Sequence, residues 1–207
     1  VGTATAATAD CVFRASSLIT FPWAVLRAWR AAYHLGPGKP RWIAGGGADP
    51  RAVVGHLLAT LELSSQLDAP PDSIVVPLGT GGTAAGIALG VAWLGWSTQV
   101  VGVRVAPRIA ANAWRTRRLA RKTAALLRAA GVDFGVSRAA IRVRVVDALG
   151  KGYGYPTSEG ERATAIAAEH GVRLAPTSSA KAFGFLVNRA PHQVPRTAVF
   201  WHTFPWP

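Results

Sequence analysis

The stretch from Ile74 to Gly86, with the sequence IVVPLGTGGTAAG, decides the fold of this chain. Its first five residues are continuously apolar, which is typical of a strand that helices cover on both faces. A glycine-rich turn then leads into an apolar helix, predicted from Thr83 to Leu94. In such a turn the backbone N–H groups converge at the positive end of the helix, and glycine lets the backbone approach an anion closely. We therefore expect a phosphate group to bind the turn formed by Gly79, Thr80, Gly81, Gly82 and Thr83.

The alternation of apolar strand and helix continues on both sides of this stretch. Further strands are predicted at residues 41–44, 99–105, 141–146 and 198–202. Further helices are predicted at residues 23–35, 49–66, 108–130, 158–170 and 179–188. Ser158 and Glu161 have the spacing of a capping box that starts the helix at residue 158. Because each strand is apolar throughout, the expected fold class is α/β, with a mostly parallel sheet and helices on both faces.

The charge of the chain is strongly basic. Among 207 residues, 23 basic and 10 acidic side chains give a net charge of +13. Six of the basic residues would lie along the helix at 108–130, where they could bind phosphates: Arg115, Arg117, Arg118, Arg121, Lys122 and Arg128. The other arginines are scattered, and no aromatic residues interleave with the basic ones as in a nucleic-acid motif. A solvated helix face is the favoured interpretation, and a nucleic-acid partner is disfavoured.

Several classes of protein are excluded by simpler features. Cys11 is the single cysteine, so no intrachain disulfide or cysteine zinc cluster is expected, which suits a reducing cytoplasm. The five histidines share no metal-ligand spacing, so no metal site is predicted. The uncharged stretch at residues 73–103 is interrupted by a proline and by glycines, which leaves too short a helix to span a membrane. Gly82, Gly86 and Gly90 favour a buried helix with close backbone packing instead.

The turn alone does not say which phosphate it binds. Gly79, Gly81 and Ala84 also satisfy the looser form of the dinucleotide fingerprint, G-x-G-x-x-A. No acidic residue follows at the end of the next strand, where NAD recognition needs one, but Arg104 lies there and could hold a 2′-phosphate. An NADP-dependent reductase therefore remains an alternative at this point. A nucleoside triphosphate is disfavoured because no Gly-Lys-Ser/Thr follows the turn.

Five motifs, taken in order, narrow this choice. Together they resemble the 1-aminocyclopropane-1-carboxylate deaminase and D-cysteine desulfhydrase family, over about residues 41 to 203. The motifs are GGG at 45–47 before a helix, GTGGTAAG at 79–86, GKGYGYPTSEG at 150–160, PTSSAKA at 176–182 and VFWHT at 199–203.

This resemblance implies a fold type II pyridoxal-phosphate enzyme, in which two α/β lobes hold the cofactor between them. Residues 41–207 would form most of the large lobe, and residues 1–40 would be a remnant of the smaller lobe or a poorly packed segment. The glycine-rich turn would hold the cofactor phosphate through backbone amides. Ser179 matches the family position that meets the pyridine nitrogen, and Tyr153 matches a tyrosine near the active site, with hydrophobic packing an equal alternative for Tyr153.

Two departures from the family limit what the resemblance implies. The family's Schiff-base lysine and its Ser-Asn-His substrate motif belong to an N-terminal half that we do not find in this sequence, so the chain is expected to be truncated. None of its lysines is predicted to be catalytic: Lys39, Lys122, Lys151 and Lys181. Ser178 replaces a tyrosine that the family usually carries in the active site.

The predicted function is that of a lyase or deaminase acting on a small amino acid such as 1-aminocyclopropane-1-carboxylate or D-cysteine, with pyridoxal phosphate as cofactor. The isolated chain is expected to be inactive because it lacks the region of the catalytic lysine. A small amino-acid substrate and a second copy of the chain are the expected partners. Two alternatives stay open: an NADP-dependent reductase, and a non-catalytic phosphate-binding remnant or basic interaction protein.

Overall fold

The computed structural model describes residues 11–17, 19–35, 39–188 and 197–203. Contacts between Cα atoms divide the chain into one unit at residues 1–43 and another at residues 44–207. The described part of the first unit contains one helix, α1, at Phe21–Ala32. This helix begins two residues earlier than predicted and has Pro22 in its first turn, where a missing N–H costs no helical hydrogen bond.

The second unit is a parallel α/β structure. Its described strands are β1 at Ser73–Leu78, β2 at Gln99–Arg104, β3 at Arg144–Asp147 and β4 at Ala198–Phe200. Its described α-helices are α2 at Pro50–Gln66, α3 at Gly82–Trp93, α4 at Ala113–Ala129, α5 at Ser158–Glu169 and α6 at Ser179–Val187. The strands form one sheet in the order β3-β2-β1-β4, and each neighbouring pair is parallel. This arrangement confirms the predicted fold class.

Both faces of the central strand β1 are buried, as its unbroken apolar sequence predicts. Ile74, Val76 and Leu78 pack into a core shared with α2, α3 and α4. Val75 points to the opposite face, where it packs in a second cluster with Ala182 of α6. Because side chains alternate along a strand, a strand between two layers of helices needs apolar residues at every position.

Three further predicted elements are absent or begin three or more residues later than predicted. Residues 41–44 carry no strand, and Trp42 and Ile43 are 61% and 79% exposed, so their apolar character does not reflect a place in the sheet. The helix predicted from residue 108 begins at Ala113, because Asn112 caps it after a turn. The strand predicted at residues 141–146 forms at Arg144–Asp147, in register with the end of β2.

Within the part of the chain that the structure describes, the helices are too short or too polar to cross a membrane. The glycines of α3 lie against α2: a Cβ on Gly86 would lie 2.5 Å from His56, and a Cβ on Gly90 would lie 2.6 Å from Thr60, which confirms the predicted close packing.

Candidate functional site

The order of the strands locates a crevice at one edge of the sheet. From β1 the chain proceeds outward to β2 and β3, and it then returns to place β4 on the other side of β1. In parallel α/β sheets, ligands bind outside the carboxyl ends of the strands at such a reversal of strand order. The segments after β1 and β4, residues 79–81 and 201–203, flank this point.

The turn after β1 depends on glycine at two positions for different reasons. Gly81 has φ +89°, in the left-handed region, and a Cβ atom there would lie 2.7 Å from the Oγ1 atom of Thr116. A side chain at Gly81 would therefore be strained and crowded. A Cβ at Gly79 would meet no atom within 4 Å, so the space beside Gly79 is open. The turn thus leaves its backbone bare on the side where a ligand could approach.

The helix that follows the turn begins without a side-chain cap. Its N-cap residue is Gly81, and the first intrahelical bond runs from the N–H of Ala85 to the carbonyl of Gly81, at 2.9 Å. The preceding N–H groups of the first turn have no helical acceptor, as at any helix start. They carry the positive end of the helix dipole, and no acidic residue lies in that turn. These groups fit an anion such as a phosphate.

A histidine contacts the side chain of this turn. The Oγ1 atom of Thr83 lies 3.1 Å from the Nε2 atom of His56 in α2, within hydrogen-bond distance. Burial lowers the pKa of His56 below its ordinary value of 6.5 and thereby favours the neutral imidazole. His56 was not predicted from the sequence, because it lies 27 residues before Thr83 and no motif joins them.

A groove of about 230 Å³ adjoins Thr80 in the same turn. Its lining includes the N-cap of α2, Asp49, and three basic residues of α4: Arg115, Arg118 and Lys122. The basic helix face that the sequence indicated thus lies beside the predicted phosphate turn. The left-handed Gly46 also approaches this region, since a Cβ there would lie 2.7 Å from the Oγ1 atom of Thr80.

Ser179 is fully buried at the first position of α6. Its Oγ atom accepts a hydrogen bond from the N–H of Ala175 at 2.7 Å and lies 3.5 Å from the carbonyl of the same residue. The hydroxyl therefore ties the start of α6 to the preceding turn. Its predicted contact with a pyridine nitrogen stays a prediction, as do the roles of the turn residues and of Tyr153.

Lys181 organises the loop that carries Tyr153. Its side chain is 1% exposed, and its Nζ atom donates to the carbonyls of Leu149 and Gly152 at 2.8 and 3.2 Å. Desolvation lowers the pKa of this lysine below 10.5. Tyr153 lies on the outside of the loop and is 56% exposed. The lysine thus tethers the loop to α6 by main-chain contacts.

The topology brings the predicted site segments to one edge of the sheet. The glycine turn follows β1, and the Tyr153 loop follows β3. The start of α6 lies near this loop, because Lys181 donates to the carbonyls of Leu149 and Gly152. One further polar atom has no hydrogen bond there: the buried Nε2 atom of His202, just after β4. In the described residues no cluster of His, Cys, Asp or Glu could hold a metal ion.

Arg104, on which dinucleotide binding would depend, is already paired. Its Nη1 atom donates to Asp147 at 2.7 Å, and its Nε atom donates to the carbonyl of Ala111 at 2.9 Å. A 2′-phosphate would have to replace a carboxylate that this guanidinium already holds.

A bare glycine turn at the reversal of strand order is a feature of α/β proteins that bind a ligand through its phosphate. The family model described as pyridoxal-phosphate dependent enzyme matches residues 24–203. The chain belongs to this family, whose members use pyridoxal phosphate.

Individual relatives agree with the resemblance found in the sequence. The chain is 31% identical over 156 residues to a putative 1-aminocyclopropane-1-carboxylate deaminase of Pyrococcus furiosus, and the alignment covers 73% of this chain and 45% of that protein. It is 37% identical over 164 residues to nocardicin C-9′ epimerase of Nocardia uniformis subsp. tsuyamanensis, covering 76% and 48%. It is 28% identical over 153 residues to a D-cysteine desulfhydrase of Klebsiella pneumoniae, covering 72% and 44%.

A solved structure supports the fold directly. The crystal structure of a homologue of 1-aminocyclopropane-1-carboxylate deaminase superposes with a TM-score of 0.74 at 29% identity, covering 92% of this chain and 56% of that one. This match confirms the predicted fold type II architecture. The chain spans about half the length of the curated relatives it matches.

Proposed function

We propose that this chain supplies the phosphate-binding part of a pyridoxal-phosphate-dependent lyase or deaminase that acts on a small amino acid. The observation that carries the proposal is the uncapped start of α3 at Gly81, with open space beside Gly79. A substrate like 1-aminocyclopropane-1-carboxylate or D-cysteine is favoured, since two of the relatives are named for reactions of these compounds. Residues 41–207 would belong to the large lobe and residues 1–40 to the smaller one.

The residues of the chain have distinct tasks in this proposal. The backbone N–H groups at Gly82 and Thr83 hold the phosphate, and the dipole of α3 stabilises its charge. Ser179, whose Oγ atom also accepts from the N–H of Ala175, would be the residue that meets the ring nitrogen, and a hydroxyl there would leave that nitrogen without the proton that a carboxylate would stabilise. Lys181 holds the Tyr153 loop in place through two carbonyls. The cofactor itself supplies an electron sink for a bond at the α-carbon.

The isolated chain is proposed not to turn over. None of its four lysines matches the family position that links to the cofactor, and Lys181, the buried one, donates to two main-chain carbonyls. We expect no ammonia, sulfide or pyruvate from 1-aminocyclopropane-1-carboxylate or D-cysteine when the chain is supplied with pyridoxal phosphate. Because one relative is an epimerase, loss of the α-proton in deuterated water is a further assay. Turnover in either assay would contradict the proposed inactivity.

Binding tests the site without any need for turnover. Pyridoxine 5′-phosphate lacks the aldehyde and cannot react with surface lysines, so it reports recognition of the phosphate and ring alone. We expect it to raise the melting temperature of the chain, and pyridoxine without phosphate to leave it unchanged. NADP and duplex DNA are added separately in the same melting-temperature measurement. A shift with NADP alone would favour the reductase, and a shift with DNA alone would favour a basic interaction protein.

A further inference from the structure

The glycines of α3 form a seam that brings α2 unusually close. A Cβ atom on Gly86 would lie 2.5 Å from the Cβ of His56 and 2.8 Å from the carbonyl oxygen of Val53. A Cβ on Gly90, one turn later, would lie 2.6 Å from the Cβ of Thr60. Real Cβ atoms do not approach so closely, so the two helices can pack in this way only because these positions are glycine.

The close approach has a consequence for the phosphate turn. It places the imidazole of His56 beside Thr83, the second residue of α3, and the Nε2 and Oγ1 atoms come within 3.1 Å. Thr83 lies in the first turn, one position after Gly82, where the free N–H groups are. The glycine spacing that suggested helix packing in the sequence therefore also fixes a histidine against the predicted ligand site.

The proton in the hydrogen bond between His56 and Thr83 belongs either to the hydroxyl or to Nε2, depending on the tautomer of the imidazole, and this choice decides what the threonine can do. If Nε2 accepts, the hydroxyl proton points at the imidazole and only oxygen lone pairs face a ligand. If Nε2–H donates, the hydroxyl keeps its proton free for a phosphate oxygen. A phosphate dianion offers only acceptors, so it selects the second arrangement.

The helices around His56 place no carboxylate against its imidazole that would compete for the proton. Helix α3, which packs against it, contains no ionisable residue, as its sequence GTAAGIALGVAW shows. Helix α2 itself carries Arg51 and Glu62 as its charged residues. The neighbouring α4 carries six basic residues and no acidic one: Arg115, Arg117, Arg118, Arg121, Lys122 and Arg128.

We propose that His56 is a positioning residue that sets the direction of the Thr83 hydroxyl and thereby makes Thr83 a donor to the phosphate of the bound ligand. This inference rests on the proposed function, because it assumes that a phosphate monoester binds the turn. It adds to that function a residue that lies outside the turn. It also makes the affinity for the ligand depend on the protonation of one imidazole.

The test measures the dissociation constant of pyridoxine 5′-phosphate for the 207-residue chain and its variants by calorimetry. His56→Phe removes the ring nitrogens and should weaken binding about 3- to 10-fold, the range expected for one hydrogen bond. His56→Gln keeps a donor near the Nε2 position and should restore most of the affinity. Thr83→Val removes the hydroxyl at constant shape, and the double variant with His56→Phe should bind no more weakly than Thr83→Val alone.

The dependence on pH separates positioning from a purely structural role. The second ionisation of the ligand's phosphate, near pH 6, is common to all variants. The ratio of affinities for the wild type and His56→Gln should therefore isolate the imidazole, and it should increase as the pH falls below 6.5. Nitrogen NMR of the wild type should show protonated Nε2 once the ligand or inorganic phosphate is added.

The outcomes distinguish the two proposals. Suppose that the wild type binds pyridoxine 5′-phosphate and that His56→Phe has the same dissociation constant, or that the losses of the two single variants add in the double variant. Either result would overturn the role of His56 and leave the phosphate site standing. A flat ratio against pH would overturn it equally. No binding of pyridoxine 5′-phosphate or inorganic phosphate to the wild type would overturn the proposed function and this inference together. If His56→Phe does not fold, the Thr83→Val and His56→Gln arms decide.

Discussion

Two kinds of helix start occur side by side in the second unit. Three helices begin with a side chain that accepts from the backbone of the first turn: Asp49 from Arg51 N at 2.9 Å, Asn112 from Arg115 N at 2.9 Å and Thr157 from Gly160 N at 3.2 Å. Helix α3 begins at Gly81, which has no side chain to offer. Helix α6 also lacks a side-chain cap at Ser178.

The difference shows which helix starts leave backbone N–H groups without a side-chain acceptor and so available to a ligand. A side-chain cap stabilises a helix by about 1 kcal/mol, and α2, α4 and α5 have one. The uncapped starts of α3 and α6 are two of the three segments in which the sequence predicted cofactor contacts, and the Tyr153 loop is the third. Uncapped N–H groups at the reversal of strand order are a ready site for an anion, whereas the capped starts have part of their N–H groups satisfied.

The largest effect is expected from a negative charge at the open side of the turn. Gly79→Asp should weaken the binding of pyridoxine 5′-phosphate by about 100-fold relative to Gly79→Asn, since a carboxylate within about 5 Å of a phosphate repels it by a few kcal/mol at intermediate dielectric. The two variants have the same shape, and a Cβ at Gly79 meets no atom. Calorimetric titration of both checks the prediction.

The asparagine variant is the control for shape. If aspartate and asparagine at position 79 bind equally well, the phosphate does not lie at this turn. Unchanged melting temperatures in the absence of ligand are expected for both, because neither side chain crowds the protein.

The second effect concerns the packing that places α3. Gly86→Ala forces a methyl group against the backbone of α2 and should lower the free energy of unfolding by about 1 to 3 kcal/mol, the cost of an overpacked site. Gly55→Ala is the matched control, since a Cβ on this exposed residue of α2 meets nothing within 4 Å. That change should raise the stability by up to about 1 kcal/mol. Urea denaturation measures both; equal effects would contradict the close seam.

Most of the fold could be predicted because the strands are buried on both faces. The unbroken apolar run at 74–78 and the glycine turn after it gave β1, α3 and the parallel sheet correctly. The predicted strand at residues 41–44 was wrong, because apolar residues make a strand only where a neighbour pairs with them. The predicted capping box of Ser158 and Glu161 was wrong: Thr157 is the N-cap, and the residue three positions after it is Gly160, whose N–H donates to the threonine hydroxyl.

The site was predictable only where its chemistry is local. The glycine turn carries its own signal, since a helix start, a left-handed residue and a bare backbone are contiguous in sequence. The contact between His56 and Thr83 and the tether from Lys181 to Leu149 join residues 27 and 32 positions apart, and depend on how helices pack. Motif resemblance located Lys181, but its two carbonyl partners are main-chain atoms that no residue type reveals.

A smaller effect is expected from removing a cap. Asn112→Ala should lower the free energy of unfolding by about 1 kcal/mol, because the N–H of Arg115 loses its acceptor. Asn112→Asp keeps an acceptor and adds a favourable charge at the helix start, so it should be as stable as the wild type or more stable. Urea denaturation of the pair checks this. A loss with aspartate as large as with alanine would show that the amide group of Asn112, which donates to the Arg108 carbonyl, matters more than the cap.

The smallest effect is a dependence of stability on pH at the end of β3, where Asp147 acts as a cap does. Its carboxylate accepts from the N–H of Leu149, and this bond, together with the guanidinium of Arg104, lowers its pKa below 3.8. A carboxyl group whose pKa is lower in the folded state stabilises the protein above its unfolded pKa. That contribution should be lost as the pH falls below about 3.8 through the folded pKa. Asp147 is half exposed, so the loss is expected to be well under 1 kcal/mol after solvent screening.

The difference in stability between the wild type and Asp147→Asn, measured by urea denaturation from pH 6 to pH 3, should shrink on acidification. A constant difference would mean that the carboxylate gains nothing from Leu149 and Arg104 in the folded chain, and that a true cap is confined to the helix starts.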